Sequence, residues 1–410
     1  MASASGCAEV EIRMAVETRF LPEEETMLLN MGPQHPATHG VLRLVLALDG
    51  EVVKDVTPVI GYLHSGFEKT YENKRYQQCV TLTDRMDYLN PLGNNLAFAL
   101  AVEKLLGIEV PPRAQVARVI LAELTRIQSH LVAVGSGALD LNGTTVMMFA
   151  FREREEFLDI FELCSGQRMM TSFIRPGGLA KDLPPEFPER VLAVLEGLPD
   201  RLADYHRLLT RNPIWLDRMV GVGKFTAEQC IEWGVTGPVL RSAGVPRDLR
   251  KDTPYCGYEN YDFNVITREE GDCYARYLVR MDEILESIKI VKQALARLPE
   301  GPYVVDDYKL AFPPRQAISD NMEALIHHFK LATEGYRVPA GEVYLPIESP
   351  RGELGFYIVS DGSSRPYRVH VRTPSFANLQ SLPAMARGSM LADMVPIIAA
   401  IDPILGDVDR

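Results

Sequence analysis

The spacing of apolar residues along the N-terminal part of the chain is typical of short strands. Apolar runs at 27–30 and 41–48 lie on either side of the loop GPQHPATHG (32–40). The second run alternates around Arg43 and leads into a turn signal, Asp49-Gly50, followed by another strand-like segment. We therefore predict a small N-terminal β-sheet whose connecting loop carries two histidines.

The middle of the chain has the period of amphipathic helices, with apolar residues every three or four positions. The two clearest stripes run from Val116 to Val134, after Pro111-Pro112, and from Tyr274 to Leu298, before Pro299. Further helices are predicted at 92–106, 145–164, 189–209 and 320–331. Residues 212–271 are rich in Gly and Pro and predict long, ordered loops.

From Gly341 onward the pattern returns to short strands. The fold class that follows is α+β, with a large helical-bundle core and small N-terminal and C-terminal β-sheets. Four regions are predicted: a flexible acidic N-terminal tail (1–26), an N-terminal β-sheet region with the His loop (27–69), a helical-bundle core with long ordered loops (70–340), and a C-terminal β region with a buried polar C-terminus (341–410).

Composition and charge narrow the class of protein. The 410 residues carry 43 Lys and Arg against 55 Asp and Glu, so a nucleic-acid-binding role, which needs a basic face, is disfavoured. No apolar run approaches the ~18 residues of a membrane-spanning helix, and residues 1–26 lack the apolar segment of a signal peptide. We expect a cytoplasmic protein.

The cysteines do not form a cluster. All 6 are widely spaced, with the closest pair 17 positions apart, at 256 and 273. We therefore expect this chain by itself to hold neither an iron-sulfur cluster nor a structural zinc.

Three polar segments are candidates for chemistry. In the N-terminal loop, His35 and His39 are four residues apart. Pro33 and Pro36 disfavour a helical conformation there, so the two imidazoles need not lie on one helix face. A turn with two half-exposed histidines is the plain interpretation, and metal binding is a weaker one because no third ligand is nearby.

The second segment, DRMDY (84–88), precedes an apolar helix, so a helix cap with a surface ion pair is its structural interpretation. In the third, Asp140 follows a long helix that carries Arg126 and His130. A carboxylate in so apolar a setting is either a cap or the partner of a cation.

Seven motifs, in order, resemble the family of 49-kilodalton or D subunits of NADH-quinone oxidoreductase, respiratory complex I. They are GPQHPATHG (32–40), GYLHSGFEK (61–69), DRMDY (84–88), GQRMMTSFIRPGG (166–178), SPRGELG (349–355), PSFANLQ (374–380) and DPILGDVDR (402–410). The resemblance covers nearly the whole chain from about Met27.

That family is similar to the large subunit of nickel-iron hydrogenases, so the resemblance implies a hydrogenase-like fold. The hydrogenase C-terminus reads DPCxxCxxH, whereas here Ile404 and Asp407 stand at the cysteine positions and Arg410 ends the motif. The hydrogenase pair RxCGxC aligns with residues 85–90, again without cysteine. Nickel needs such thiolates, so hydrogenase activity is not expected and no metal ligands are predicted.

The resemblance implies instead a quinone pocket, formed with a B-type subunit that holds the terminal iron-sulfur cluster. His39 and Tyr88 would each donate a hydrogen bond to a quinone oxygen, with Asp140 as the carboxylate behind His39. His35 would line the same loop. Quinone is then a substrate, this chain alone binds no cofactor, and the C subunit and a membrane-arm H-type subunit are further partners, through which the chain meets the membrane on its cytoplasmic side.

Two positions depart from the family pattern near the partner's cluster. Met170 replaces a histidine of many members, and Ser65 replaces an arginine of some members. Arg85 and Arg168 stay as candidates for positive potential at the quinone pocket or the cluster. Two other functions compete with quinone binding: a purely structural subunit of the same complex, and a subunit of a related membrane-bound hydrogenase.

Overall fold

The computed structural model describes residues 26–35 and 39–410, so the predicted N-terminal tail, up to residue 25, lies outside the described residues. The strands of the described part are β1 (Met27–Met31), β2 (Gln34–His35), β3 (Gly40–Val41), β4 (Arg43–Asp49), β5 (Val52–Val59), β6 (Ile174–Arg175), β7 (Gly178–Leu179), β8 (Gly341–Ser349), β9 (Gly352–Ser360) and β10 (Arg368–Arg372).

The α-helices account for most of the remaining chain. They are α1 (Phe67–Asn73), α2 (Tyr76–Thr83), α3 (Pro91–Leu106), α4 (Pro112–Asp140), α5 (Thr144–Ser165), α6 (Phe187–Tyr205), α7 (Pro213–Met219), α8 (Ala227–Glu232), α9 (Pro238–Arg241), α10 (Leu249–Asp252), α11 (Cys273–Ala296), α12 (Arg315–Asp320), α13 (Met322–Thr333), α14 (Pro374–Gln380), α15 (Leu382–Ala386), α16 (Met394–Ile401) and α17 (Leu405–Asp409). Together these elements confirm the predicted α+β class.

The N-terminal sheet has the antiparallel order β1-β4-β5. Its hairpin turns at Asp49-Gly50, as predicted, and Gly50 adopts the positive φ of 61° that this turn requires. Strand β4 is buried along most of its length, with Leu46 and Leu48 fully inaccessible. The sheet thereby packs residues 27–59 against the helical core.

The core is organised around α4, which packs against α5 and α11. Its apolar stripe is buried as predicted, but so is most of the rest of its surface between Val119 and Ala138, including charged side chains. The predicted loop region 212–271 differs from expectation, since it contains the four short helices α7–α10. A proline in the first turn of α7 and of α9 favours the start of a helix at these positions.

The C-terminal sheet has the antiparallel order β8-β9-β10. Strands β8 and β9 form a hairpin in which Ser349 pairs with Gly352, so only Pro350 and Arg351 make the turn. The chain then runs through α14–α16 and ends in α17, whose residues from Leu405 to Asp409 are all buried. The polar end of the sequence therefore lies inside the protein, next to the β8–β9 turn.

The buried stripe of α4 predicts a large stability cost for truncation. Leu124→Ala, at a fully buried position, should lower the free energy of unfolding of the purified chain by about 2–5 kcal/mol, because it leaves a cavity. The same deletion at Leu325, which is 50% exposed on α13, should change it by less than about 0.5 kcal/mol. Thermal unfolding measures both, and equal effects would show that α4 is not the core helix.

Candidate functional site

The candidate site is built around Asp402, at the C-terminal end of α16. Asp402 adopts the left-handed conformation, with φ 56° and ψ 56°, and is 2% exposed. Aspartate tolerates this backbone region better than most residues, and the following Pro403 prevents the helix from continuing. The resulting turn directs the Asp402 carboxylate at two partners, His39 and Arg351.

His39 is the first of these partners. Its Nε2 lies 3.1 Å from Oδ1 of Asp402 and 3.4 Å from the hydroxyl oxygen of Ser136. His39 also has a positive φ, 45°, so two non-glycine residues in strained backbone conformations face each other. Such strain persists where the surrounding structure fixes the side chains, as expected at a functional site.

This contact places a carboxylate against His39 that the resemblance did not name, since the resemblance implied Asp140 behind this imidazole. The imidazole ring lies over Ser136, one turn of α4 before Asp140, and the carboxylate within hydrogen-bond distance of Nε2 is Asp402. Asp140 is the last residue of α4 and is partly buried. The residue at Nε2 thus lies more than 260 positions after Asp140 in the sequence, and the role of Asp140 stays a prediction.

Arg351 is the second partner of Asp402 and is itself 1% exposed. Its Nε donates to the backbone carbonyl of Asp402 at 3.0 Å, and Nη2 forms an ion pair with Oδ2 of Asp402 at 3.0 Å. Nη1 donates to Oδ2 of Asp87 at 2.8 Å and to the hydroxyl of Ser129 at 3.0 Å. One guanidinium group thus joins the C-terminal turn, the segment before α3 and helix α4.

The segment before α3 places Tyr88 beside these charges. Asp87 accepts the backbone N–H of Leu89 on its second oxygen, which holds the segment in a tight turn. Burial and the negative charges of Asp87 and Asp402 raise the pKa of Tyr88 to about 12, against the opposing effect of Arg351. Tyr88 is only half-buried, and among the described residues its hydroxyl has no hydrogen-bond partner. Tyr88 is therefore a protonated, available donor at neutral pH.

The pKa values of Asp402 and Asp87 shift in opposite directions, although both carboxyl groups contact the Arg351 guanidinium. Burial alone would raise the pKa of Asp402, but Arg351 and the hydrogen bond from His39 outweigh it, so the pKa lies below its usual range. For Asp87, burial dominates over Arg351, and the charge of Asp402 adds to it, so the pKa is raised. Asp402, the more readily ionised of the two carboxyl groups, is therefore the one that contacts the His39 imidazole.

The surface ion pair expected within DRMDY is wrong. Asp84 is buried, accepts Nδ2 of Asn95 at 2.8 Å, and accepts both the backbone N–H and the hydroxyl of Ser172. Burial raises its pKa to about 6. Arg85, in contrast, is exposed. Asp84 fastens the loop after α5 to the end of α2.

Arg126 and His130 of α4 contact elements that surround the site. Arg126 donates to the backbone carbonyls of Glu348 and Ser349, at 2.5 and 3.1 Å, directly before the Arg351 turn. Nε2 of His130 lies 2.9 Å from Glu283 of α11. These contacts hold the β8–β9 turn on the helical core.

The loop GYLHSG is held by the C-terminus in a similar way. Asp409 accepts the backbone N–H groups of Gly61 and Leu63 at 2.8 and 2.6 Å, and Nδ1 of His64 donates to its carbonyl at 2.6 Å. The buried α17 thus fixes this N-terminal loop as well as the site.

The other predicted residues are not brought to Asp402. Arg168 is exposed and pairs with Glu155, Asp159 and Glu162 of α5, while Arg85 has no ion pair within the described part of the chain. Only the backbone of His35 is described, so its side-chain role stays a prediction, as do the roles of Arg85 and Arg168.

The side chains at the positions that the sequence resemblance aligns with hydrogenase thiolates do not suit nickel. Ile404 is fully buried in a small apolar cluster with Leu89 and Val132, against which Tyr88 packs. Asp407 is a buried carboxyl group. In residues 26–35 and 39–410, no group of three or more His, Cys, Asp or Glu side chains is arranged to hold a metal ion.

Two functional residues, Asp402 and Arg351, received no role from the sequence. Both lie inside conspicuous motifs, DPILGDVDR and SPRGELG. The only local signal was an arginine at a hairpin turn, where side chains are normally exposed. An arginine at a hairpin turn does not reveal that Arg351 is buried or that its partners are Asp87 and Asp402.

Comparison with known proteins assigns the family. The sequence model described as respiratory-chain NADH dehydrogenase, 49 Kd subunit, matches residues 140–410. The chain belongs to this family. The D 2 subunit of NADH-quinone oxidoreductase from Roseiflexus sp. (strain RS-1) is 60% identical over 95% of this chain and 94% of its own length. The D subunit of NADH-quinone oxidoreductase from Geotalea uraniireducens (strain Rf4) is 54% identical over 94% of this chain and 99% of its own length.

As a D subunit of NADH-quinone oxidoreductase, the chain is one component of an oxidoreductase complex of the respiratory chain, and its partners are other complex I subunits. None of the helices in the described ranges has both the length and the apolar character needed to cross a bilayer.

The buried Arg351 predicts a large effect for its removal. Arg351→Met leaves two carboxylates buried without their cation and should destabilise the protein by about 3–5 kcal/mol at neutral pH. The loss should shrink as the pH falls, because without Arg351 the burial of Asp402 raises its pKa, and the protonated acid no longer needs the cation. Arg168→Met, at an exposed ion pair, should cost at most about 1 kcal/mol. Thermal unfolding across pH tests both, and equal losses would contradict the role of Arg351.

Proposed function

We propose that this chain forms the quinone-reducing pocket of the complex together with the B-type subunit, which holds the terminal iron-sulfur cluster. The observation that carries the proposal is the pair of donors around Asp402. They are the His39 imidazole and the Tyr88 hydroxyl, which has no hydrogen-bond partner in the described part of the chain. In this proposal the chain lies on the cytoplasmic side, reaches the membrane through an H-type subunit, and also contacts the C subunit.

The His39 ring suits one quinone oxygen. Because Asp402 is an acceptor, Nε2 of His39 carries a proton, which leaves Nδ1 without a partner among the described residues. When the ring is doubly protonated, Nδ1 becomes a donor, and the ionised Asp402 stabilises that positive charge. His39 then offers both a hydrogen bond and a proton to an oxygen that gains negative charge.

The Tyr88 hydroxyl suits the other oxygen. Its raised pKa keeps the proton on the phenol, and its half-buried position leaves the hydroxyl open to a ligand. A quinone that receives two electrons gains charge on both oxygens, so two aimed donors in a poorly hydrated site stabilise the reduced forms more than the oxidised one. This differential stabilisation is the contribution that we assign to the chain.

The remaining predicted residues take supporting positions in this proposal. His35 lines the loop that carries His39, and Asp140 ends the helix beneath it. Arg85 and Arg168 supply positive potential towards the partner's cluster, while the fold is that of a hydrogenase large subunit whose metal site has been replaced by carboxyl and apolar groups.

Tyr88→Phe tests the donor at the second oxygen. Loss of the hydroxyl leaves that oxygen without its donor, a cost of roughly 1–3 kcal/mol, or about 5- to 150-fold in quinone reduction by the assembled complex. Electron delivery from NADH to an artificial acceptor upstream of the pocket should be unchanged. Tyr367→Phe, at an exposed tyrosine, is the control. If Tyr88→Phe leaves quinone kinetics as they are, the headgroup lies elsewhere.

Substitutions of His39, Asp402 and Asp140 show which of the two carboxylates contributes more to quinone reduction. His39→Ala and Asp402→Asn should both slow quinone reduction, by at least as much as Tyr88→Phe. The first removes the donor to the quinone oxygen, and the second removes the carboxylate that holds the imidazole by its Nε2–H. Asp140→Asn should act more mildly, since a different carboxylate contacts the ring. Quinone reduction assayed in membranes measures the order, and a larger loss for Asp140→Asn than for Asp402→Asn would reverse our assignment.

A structural subunit without chemistry and a hydrogenase subunit are the competing functions. Nickel analysis of the purified complex separates the latter, and we expect no stoichiometric nickel because the ligand positions hold Ile404 and Asp407. Nickel bound in proportion to this chain would favour the hydrogenase function.

A further inference from the structure

One carboxyl group next to the candidate site has no part in the contacts described so far. Asp407 of α17 is 1% exposed, and its Oδ2 accepts the backbone N–H of Ser375 at 3.2 Å. Its Oδ1 is buried without a hydrogen-bond partner among residues 26–35 and 39–410, and no arginine or lysine forms an ion pair with it there. A buried oxygen of this kind is costly for a carboxylate but acceptable for a neutral acid.

The charges that surround Asp407 point to the same state. Three buried carboxyl groups, Asp87, Asp402 and Asp407, lie within electrostatic reach of Arg351, and Arg280 of α11 adds a second cation near Asp402. A proton on one carboxyl group leaves two negative charges against two guanidinium groups. Asp87 and Asp402 both have direct contacts with Arg351, so the proton falls to Asp407.

Helix α17 also lies between the two halves of the site. A Cβ atom added at Gly406 would lie 2.5 Å from the carbonyl oxygen of Met86, so α17 packs directly on the segment that carries Asp87 and Tyr88. On its other side, Leu405 packs against Gly40, which follows His39. Helix α14 contributes Ser375 but no titratable side chain to this contact.

We propose, on the basis of the proposed quinone site, that Asp407 holds a proton in the resting protein and supplies it to that site during quinone reduction. The reduced quinone oxygen takes the proton of the Tyr88 hydroxyl. The Asp407 O–H bond then breaks, and its proton restores the hydroxyl of the Tyr88 phenolate; Arg351 interacts electrostatically with both groups. The electrons come from the partner's cluster. Asp407 is left as a carboxylate and regains its proton from solvent before the next turnover.

The pKa of Asp407 agrees with this role. Burial and the negative charge of Asp87 raise the pKa to about 7, against the hydrogen bonds from Ser375 and the attraction of Arg351. Since the folded value lies above the unfolded value, stability falls as the pH rises from about 4 to about 7, where the folded state must give up this proton. The group that donates is therefore present below pH 7 and lost above it.

Asp407→Asn in the assembled complex tests the donor role, because it keeps the shape of the acid and removes its proton. Quinone reduction should fall roughly 100-fold at pH 6, the size of a typical proton-transfer contribution. The wild-type rate should decline between pH 6 and 8 as Asp407 loses its proton, and this decline should be absent from Asp407→Asn. Electron delivery from NADH to an artificial acceptor should be retained. Asp407→Glu should preserve the decline. A wild-type rate and pH profile in Asp407→Asn would overturn the proposal.

Infrared spectra of the full chain during a pH titration test the proton itself, independently of quinone. The wild type should show a component of the protonated carboxyl C=O band that is lost near pH 7. The difference between wild-type and Asp407→Asn spectra isolates this component from other buried acids such as Asp84. Stability at pH 6 should be the same in this variant as in the wild type, whereas Asp87→Asn, which breaks an ion pair, should be destabilised. Absence of this component, or equal destabilisation of both variants, would show an ionised, structural Asp407. If Tyr88→Phe has no effect while the component is present, the quinone site fails and the protonated acid stands.

Discussion

The structure of the site depends on the burial of the Arg351 guanidinium. A cation removed from water is stable only when carboxylates and hydrogen-bond acceptors arrive from the protein. Here they come from the segment before α3, from α4 and from the turn after α16. These segments are far apart in sequence, so the C-terminus, the helical core and the C-terminal sheet must be assembled together for any of the contacts to form. The same constraint fixes Asp402, and through it His39.

The position of the chain terminus follows from this constraint. A C-terminal segment as polar as DPILGDVDR would ordinarily fray in water. In this protein Asp402 pairs with His39 and Arg351, and Asp409 accepts backbone N–H groups of the loop at Gly61 and Leu63. Asp407 is buried in α17, which packs on the segment before α3. In the hydrogenase-like fold that we propose, the thiolate positions hold carboxyl and apolar groups inside a buried C-terminus. In our account, this part of the chain supplies a proton instead of binding a metal ion.

Local patterns in the sequence predicted most of the fold and part of the site. The stripes of α4 and α11, the hairpin at Asp49-Gly50 and the α+β class are all properties of neighbouring residues, which spacing records directly. The resemblance to D subunits singled out His39 and Tyr88. The same resemblance implied Asp140 as the carboxylate behind His39, whereas the carboxylate within hydrogen-bond distance of Nε2 is Asp402. Ion pairs such as Arg351–Asp402 join distant segments and leave no periodic trace.

The central claim is that the quinone headgroup lies between His39 and Tyr88, above the carboxylate of Asp402. An experimental structure of the assembled complex with quinone bound would test it most directly. We predict one quinone oxygen at about 2.5–3.0 Å from the hydroxyl oxygen of Tyr88 and the other at about 2.7–3.2 Å from Nδ1 of His39, with Asp402 still against Nε2. A bound headgroup that contacts neither side chain, in a complex competent for quinone reduction, would contradict the account.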